Sequence, residues 1–274
     1  VYKRQHDGET GKGTPRSHEA GRALTTPPQP TPVNEGKSHF RHARCYHKAM
    51  EPLIRKVPSA VGERLRISEI FLSLQGESTL VGLPTVFVRL TGCPLRCQYC
   101  DSEYAFRGGQ AMEANAVVAR VAAYQVRHVT VTGGEPLAQP ACLSLLSRLC
   151  DAGYQVSLET SGALDVNGVD TRVTKVMDLK TPASGEMDKN RYQNLDCLTP
   201  RDQVKFVICD RADYDWARQI LDEYHLPGRC EVLFSPSAGQ QSAPQLAEWL
   251  LGDRLAVRFQ IQLHKILWGN EPGR

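Results

Sequence analysis

The sequence predicts an α/β fold, a partial, open β/α barrel of about six strands, from three observations. Short β-branched runs alternate with helical stretches through residues 113–261. Polar residues recur just past the ends of those runs, and three thiols crowd into eight residues directly after one of them. Repeated strand-helix units imply a parallel sheet with right-handed crossovers. A barrel of that kind carries its site beyond the C-terminal strand ends.

Length and composition set the frame. A chain of 274 residues, 41% hydrophobic and 23% charged, suits one soluble domain with a sizeable core. No run of eighteen apolar residues occurs, so no transmembrane helix and no membrane partner is expected. Residues 1–49 hold nine Lys/Arg against four Asp/Glu and are rich in Gly, Pro, Thr and His without apolar periodicity. They read as disordered. The remaining 24 basic and 26 acidic residues leave the body about neutral, so the net +3 comes from this tail and gives no support for nucleic-acid binding. The chain begins at Val1, and Val1-Tyr2-Lys3-Arg4-Gln5 looks like a translated adapter remnant. Residues 1–49 are therefore expected to be a non-native upstream extension, with 50–274 as a single domain starting at Met50. A functional targeting segment or nucleic-acid tail is the alternative.

The body is expected to begin near Leu65. Residues 66–74 alternate as a strand, run into Gln75-Gly76-Glu77-Ser78, and return through Gly82-Leu83-Pro84 into an apolar strand, Thr85 to Leu90. That hairpin carries Gln75 and Glu77 to the side of the thiol-rich loop. Helical spacing covers 113–124 and 140–150, with strands at 129–131, 156–158 and 176–179. Strands at 204–208, 232–234 and 257–261 follow, with helices at 214–224 and 244–250 between them. Glu159, Asp178, Lys180, Ser235 and Ser237 all follow apolar runs, which favours a shared pocket over separate caps and surface groups.

The loop Cys93-Pro94-Leu95-Arg96-Cys97-Gln98-Tyr99-Cys100-Asp101-Ser102 carries the chemistry. A closed zinc site or a plain electron-carrying cluster wants four protein ligands, and no second CxxC or Cys-His pair completes one. Three thiols fit a 4Fe-4S cluster with one open iron; a structural zinc knuckle or unligated thiols remain the alternatives. About thirty residues on, Val129-Thr130-Val131-Thr132-Gly133-Gly134-Glu135-Pro136 ends a β-branched run in two glycines and an acid. Glycine admits close backbone approach, and a carboxylate accepts from an ammonium group. The other cysteines, Cys45, Cys142, Cys150, Cys197, Cys209 and Cys230, are scattered, and most read as small buried hydrophobes. Nine cysteines in this pattern argue for a reducing, cytoplasmic setting rather than a disulfide framework.

CxxxCxxC with an aromatic before its last cysteine, followed by Gly-Gly-Glu-Pro, resembles the radical SAM enzymes, which implies a 4Fe-4S cluster and S-adenosylmethionine (SAM). Within that superfamily, residues 70–77, 87–93 and 100–102, Asp178-Leu179-Lys180, 204–207 and Gln262-Leu263-His264-Lys265 resemble the 7-carboxy-7-deazaguanine synthase family, at minimal size. The resemblance implies ring contraction of 6-carboxy-5,6,7,8-tetrahydropterin to 7-carboxy-7-deazaguanine with loss of ammonia, toward queuosine and other deazapurines, with SAM regenerated.

It also implies residue roles. Cys93, Cys97 and Cys100 hold the cluster. Tyr99, Gly134, Glu135, Asp178, Lys180, Ser235, Pro236 and Ser237 hold SAM. Leu74, Gln75, Gly76, Glu77, Arg89 and Thr132 hold the pterin, and Ser102, where the family usually has Thr, ligates Mg²⁺. A small-molecule substrate, a reducing donor such as flavodoxin, a homodimer and no direct nucleic acid complete the implied partners. A glycyl-radical-enzyme activase is the alternative activity; it has no reason to carry Gln75, Glu77 and Arg89 together.

Overall fold

The computed structural model describes residues 63–269 together with 271 and 273. Residues 1–50 and 51–274 separate as two units, and all described residues belong to the second. The expectations for residues 1–49 and Met50 lie outside the described residues.

One sheet of nine strands runs in the order β3 (Gln110–Glu113), β1 (Arg64–Leu74), β2 (Pro84–Leu90), β4 (His128–Gly133), β5 (Gln155–Thr160), β6 (Thr174–Asp178), β7 (Gln203–Ile208), β8 (Glu231–Pro236), β9 (Arg258–Phe259). Its first two strands form the expected hairpin, β1 (Arg64–Leu74) antiparallel to β2 (Pro84–Leu90), with Phe71 opposite Phe87. The chain then crosses through α1 (Ala114–Ala122) into β4 (His128–Gly133) and through α2 (Ala141–Asp151) into β5 (Gln155–Thr160). It continues with β6 (Thr174–Asp178), β7 (Gln203–Ile208), α3 (Arg211–Tyr224), β8 (Glu231–Pro236), α4 (Ala243–Asp253) and β9 (Arg258–Phe259). From β2 to β9 every pairing is parallel, and the edge strands β3 and β9 do not meet, so the barrel is open.

The hairpin is present as β1 and β2, and the strands expected at 129–131, 156–158, 176–179, 204–208 and 232–234 are β4, β5, β6, β7 and β8, so the sheet has nine strands where about six were expected. The polar edge strand β3 (Gln110–Glu113) pairs with β1 and has no counterpart in the sequence pattern. Nor has the six-residue helix α5 (Leu263–Trp268), and the strand expected over 257–261 shrinks to the two residues that β8 pairs.

Two apolar layers hold the sheet. Leu145, Leu146 and Leu149 of α2 pack with Val88, Leu90, Val129, Val131 and Leu158 in one. Phe206, Phe234, Met177 and Tyr214 centre the other. Each such fully buried side chain contributes roughly 1.5–3 kcal/mol over its exposed state. Tyr214 is buried, yet its hydroxyl bonds Trp249 O at 3.0 Å and Asp253 Oδ2 at 2.7 Å, tying α3 to α4 without leaving a polar group unmet. Asp210 caps α3 through Asp213 N, which starts that helix three residues before the apolar spacing does. Among the described residues, no helix is long and apolar enough to cross a membrane. Of the scattered cysteines, Cys142 and Cys230 are buried as expected, whereas Cys150, Cys197 and Cys209 are partly exposed.

Candidate functional site

A cavity of about 980 Å³ opens at the C-terminal ends of the parallel strands. Its wall includes Cys93, Cys97 and Cys100, because β2 delivers the loop there and the loop is clasped from several sides. Arg96 Nη1 donates to the carbonyls of Cys93 (2.8 Å) and Leu95 (2.6 Å), and its guanidinium lies over Phe106. Gln98 N donates to Ser184 O, and Arg96 N to Glu186, so the loop after β6 braces the loop after β2. All three cysteines are free thiols. Burial pushes Cys93 up and Cys97 up to about 11, so the thiolates need a cation to form. Among the described residues, no three His, Cys, Asp or Glu side chains group closely enough for one ion. Three separate thiols facing one cavity fit a larger group, a cluster, better than a single zinc.

The end of β4 packs directly on this loop. A Cβ at Gly133 would strike Leu90 O, and one at Gly134 would strike Gly92 O and lie 2.7 Å from Cys93 Cβ, so only glycines allow the approach. Both glycines line the cavity.

Glu135 departs from expectation. It is fully buried behind the wall, and its carboxylate accepts from Thr160 Oγ1, from Ser161 N (2.7 Å) and Oγ (2.6 Å), and from Leu137 N. A carboxylate with that many donors is a brace for the β4 and β5 ends rather than an acceptor held open. Ser235 and Pro236 also differ from expectation: they belong to β8, and the cavity wall resumes only at Ser237.

The remaining expected residues meet in the cavity: Leu74, Gln75, Gly76, Glu77, Arg89, Tyr99, Ser102, Thr132, Asp178 and Lys180 all line it. Glu77 Oε1 accepts from Gln262 at 2.7 Å, and Oε2 from Lys205. Asp178 Oδ2 lies 3.1 Å from Lys180 Nζ and 3.5 Å from Lys205 Nζ, while its Oδ1 is buried without a partner. Burial alone would pull Lys205 down, but Glu77 and Asp178 hold its pKa well above the ordinary value, so it stays cationic. Lys180 is raised against the same penalty, chiefly by Asp178. Arg89 donates through Nε to Glu69 at 2.6 Å and lies by the rings of Phe71 and Tyr104, which aim it along the wall.

Several site residues carried no assigned role in the sequence. Glu159 is partly buried in the cavity wall, accepts from Thr132 Oγ1 at 2.8 Å and from Gln75 Nε2 at 3.3 Å, and desolvation with nearby Glu77 raises its pKa. Lys205 stands mid-strand between buried Val204 and Phe206, the one available signal, since a lysine inside a covered sheet needs a partner.

Helix α5 roofs the opening. Leu263 N donates to Gly76 O, His264 packs so closely on Gly76 that a Cβ there would collide with its ring, and Lys265 pairs with Asp101 at 3.0 Å. Burial pushes Asp101 up, but Lys265 outweighs it and the net pKa falls, keeping a carboxylate beside Ser102. Gly269, Glu271 and Gly273 of the C-terminal segment also line the cavity.

A family model, Radical SAM superfamily, matches residues 87–225. A 7-carboxy-7-deazaguanine synthase of Chlorobaculum tepidum is 46% identical over 207 residues, covering 74% of this chain and 94% of the relative. A namesake from Koribacter versatilis is 45% identical over 222 residues, covering 76% and 98%. Among solved structures, a crystal structure of QueE from Escherichia coli covers 74% of this chain and 96% of its own, with a TM-score of 0.61 at 23% identity, and bears on the fold alone.

Proposed function

The chain belongs to the radical SAM superfamily and, within it, to the 7-carboxy-7-deazaguanine synthase family, and on that premise we propose which residues of the cavity do the work. The activity is a carbon-nitrogen lyase reaction: ring contraction of 6-carboxy-5,6,7,8-tetrahydropterin to 7-carboxy-7-deazaguanine with loss of ammonia, in queuosine biosynthesis. The activase alternative draws no support from these relatives.

Its cofactors are a 4Fe-4S cluster, SAM and Mg²⁺. When bound, they supply a hydrogen-abstracting radical and a Lewis acid. Cys93, Cys97 and Cys100 would hold the cluster, and the desolvated thiols facing one cavity support that role. Tyr99, the backbone of Gly134, Asp178, Lys180 and Ser237 would hold SAM, with the unpartnered Asp178 Oδ1 as an open acceptor. Glu135 would act from behind as a brace. Ser102, beside the Asp101 carboxylate, would ligate Mg²⁺.

Leu74, Gln75, Gly76 and Glu77 would read the amide and amino edge of the pterin, because a carboxylate accepts from adjacent N–H donors. Arg89 would take the substrate carboxylate with its planar fork, and Thr132 would touch the same ligand. Helix α5 and the α5-flanking Gln262 would keep water from the pterin, a positional contribution. The reading extends to a reductant of the flavodoxin kind and to a homodimer, both carried by family resemblance.

The observation that carries the reading is one cavity shared by the three thiols, the Gly133-Gly134 end of β4 and the Glu77-Lys205-Asp178 charges. The test is anaerobic reconstitution followed by incubation with reductant, SAM, Mg²⁺ and 6-carboxytetrahydropterin, with product followed by mass. Formation of 7-carboxy-7-deazaguanine with SAM recovered intact is the expected result; SAM cleavage with the pterin untouched would overturn it.

A further inference from the structure

Lys205 stands between two carboxylates that the site gives to different ligands. Its Nζ donates to Glu77 Oε2, on the turn that reads the pterin, and lies 3.5 Å from Asp178 Oδ2, on the SAM side. Asp178 pairs in turn with Lys180, whose Nζ lies 5.7 Å from the ring centre of Tyr99 on the cysteine loop. The link is long-range in sequence, 128 residues from Glu77 to Lys205, and runs without a break from the substrate end of the cavity to the cluster end.

We propose that Lys205 is a positioning residue that couples the two ligand sites, fixing Glu77 and Asp178 relative to one another so that pterin and SAM bind in register. The inference rests on the assignment of Glu77 to the pterin and Asp178 to SAM made above.

The charges around Lys205 say what its loss does. Facing it are Glu77 from the turn after β1, Glu159 from β5, Asp178 and Lys180 at the end of β6, Asp101 from the cysteine loop, and His264 from α5, with Lys265 of α5 paired to Asp101. Arg89 of β2 faces Glu159. With Lys205 neutral, Glu77, Glu159 and Asp178 confront one another with Lys180 beside Asp178 and Arg89 beside Glu159 as the near cations. Like charges this close disfavour one another's ionisation, so the cluster takes up a proton more readily than the parent does. A protonated carboxyl there replaces an acceptor with a donor opposite the N–H edge of the substrate. The SAM-side carboxylate also loses its fixed distance to Glu77. Because coupling between ligands is reciprocal, either ligand reports it.

The test uses the full chain with its cluster reconstituted, as wild type, Lys205→Met and Lys205→Arg. Equilibrium binding of 6-carboxypterin, a pterin probe that does not turn over, is measured with and without SAM at pH 6 and pH 8.5. In the wild type SAM tightens pterin binding several-fold. Lys205→Met loses that gain and binds at least tenfold more weakly at pH 6, with the deficit shrinking at pH 8.5. Lys205→Arg keeps the charge, shows no added pH dependence and retains only part of the gain, because its planar head cannot sit between the two oxygens as a point charge does.

A Lys205→Met chain that keeps the full gain, or whose deficit is equal at both pH values, overturns the coupling. If Lys205→Met does not fold, a full SAM gain in Lys205→Arg overturns it instead. A wild type that does not bind the pterin at all overturns the underlying site assignment, which is a different result from a wild type that binds and couples while the variants do so equally.

Discussion

The two strands β6 and β7 carry one lysine-carboxylate pair at each end, with the charges exchanged. At the lower end Lys175 of β6 meets Asp202, just ahead of β7; at the upper end Asp178 of β6 faces Lys205 of β7, three residues or about 10 Å further along each strand. The lower pair is closed. Asp202 Oδ1 accepts from Lys175 N at 2.7 Å, and Oδ2 accepts from Thr199 N, from Thr199 Oγ1 and from Lys175 Nζ at 3.0 Å, with side chains 6% and 1% exposed. The upper pair is loose at 3.5 Å, leaves Asp178 Oδ1 without a partner and opens on the cavity. Similar groups on the same two strands therefore serve opposite ends: saturated, they hold the sheet together; left one bond short, they wait for a ligand. That division follows the barrel rule that the bottom face carries stability and the top face chemistry.

The contrast breaks most completely at the upper end when the cluster ligand goes. Cys97→Ala is expected to abolish turnover, with iron content and the cluster's absorption lost after reconstitution, while the metal-free variant unfolds like the metal-free parent. Turnover at any measurable fraction of the wild type would remove Cys97 from the site. The lower end should respond in the opposite way. Asp202→Ala strands a buried ammonium and is expected to cost about 3–5 kcal/mol in stability. Denaturant unfolding reads that loss, and turnover per folded molecule stays at the parent value. A stable Asp202→Ala chain with impaired turnover would mean that the two ends do not divide the work in this way.

Glu77→Gln sharpens the upper half of the comparison. It keeps the shape of the side chain and one acceptor oxygen but removes the charge, and a hydrogen bond to a charged group contributes about 1.5–3 kcal/mol, roughly a 10- to 100-fold rise in the Michaelis constant for the pterin. Iron content and SAM binding to the cluster should stay intact. An unchanged Michaelis constant and rate would refute the assigned role.

The parallel strands were legible in the sequence because each is a covered run of Val, Ile, Leu or Phe bounded by turn residues, as in Val129 to Val131 and Val204 to Ile208. The cavity was legible because the thiols, Gly133-Gly134 and Asp178 sit where such runs stop. Strand β3 was not, since Gln110-Ala111-Met112-Glu113 has no such signature and forms only because β1 offers it an edge. Helix α5, at six residues, is too short to show a period. The direction of a side chain is also hidden. Glu135 follows two cavity glycines in sequence yet turns inward to Thr160 and Ser161, because unmet donors at the β5 end draw a buried carboxylate more strongly than open solvent does. The meeting of Glu77, Asp178 and Lys205 depends on strand order and register, which no local pattern encodes.

The smallest expected effect concerns Glu159, the carboxyl of the upper cluster that accepts from Thr132 and Gln75. Burial, with Glu77 nearby, raises its folded-state pKa above the ordinary 4.5 despite the pull of Lys205 and the bond from Thr132. The folded protein then binds this proton more tightly than the unfolded chain does. The protonated carboxyl therefore favours the fold fully below about pH 4.5, and that contribution fades as the pH rises through the folded pKa. Glutamine cannot ionise, so Glu159→Gln removes the dependence. Relative to Glu159→Gln the wild type is therefore expected to lose stability between pH 4 and pH 8 by denaturant unfolding. The opposite sign, a wild type gaining on the variant as pH rises, would mean that Lys205 and Thr132 outweigh burial and that the upper cluster is closed like the lower one after all.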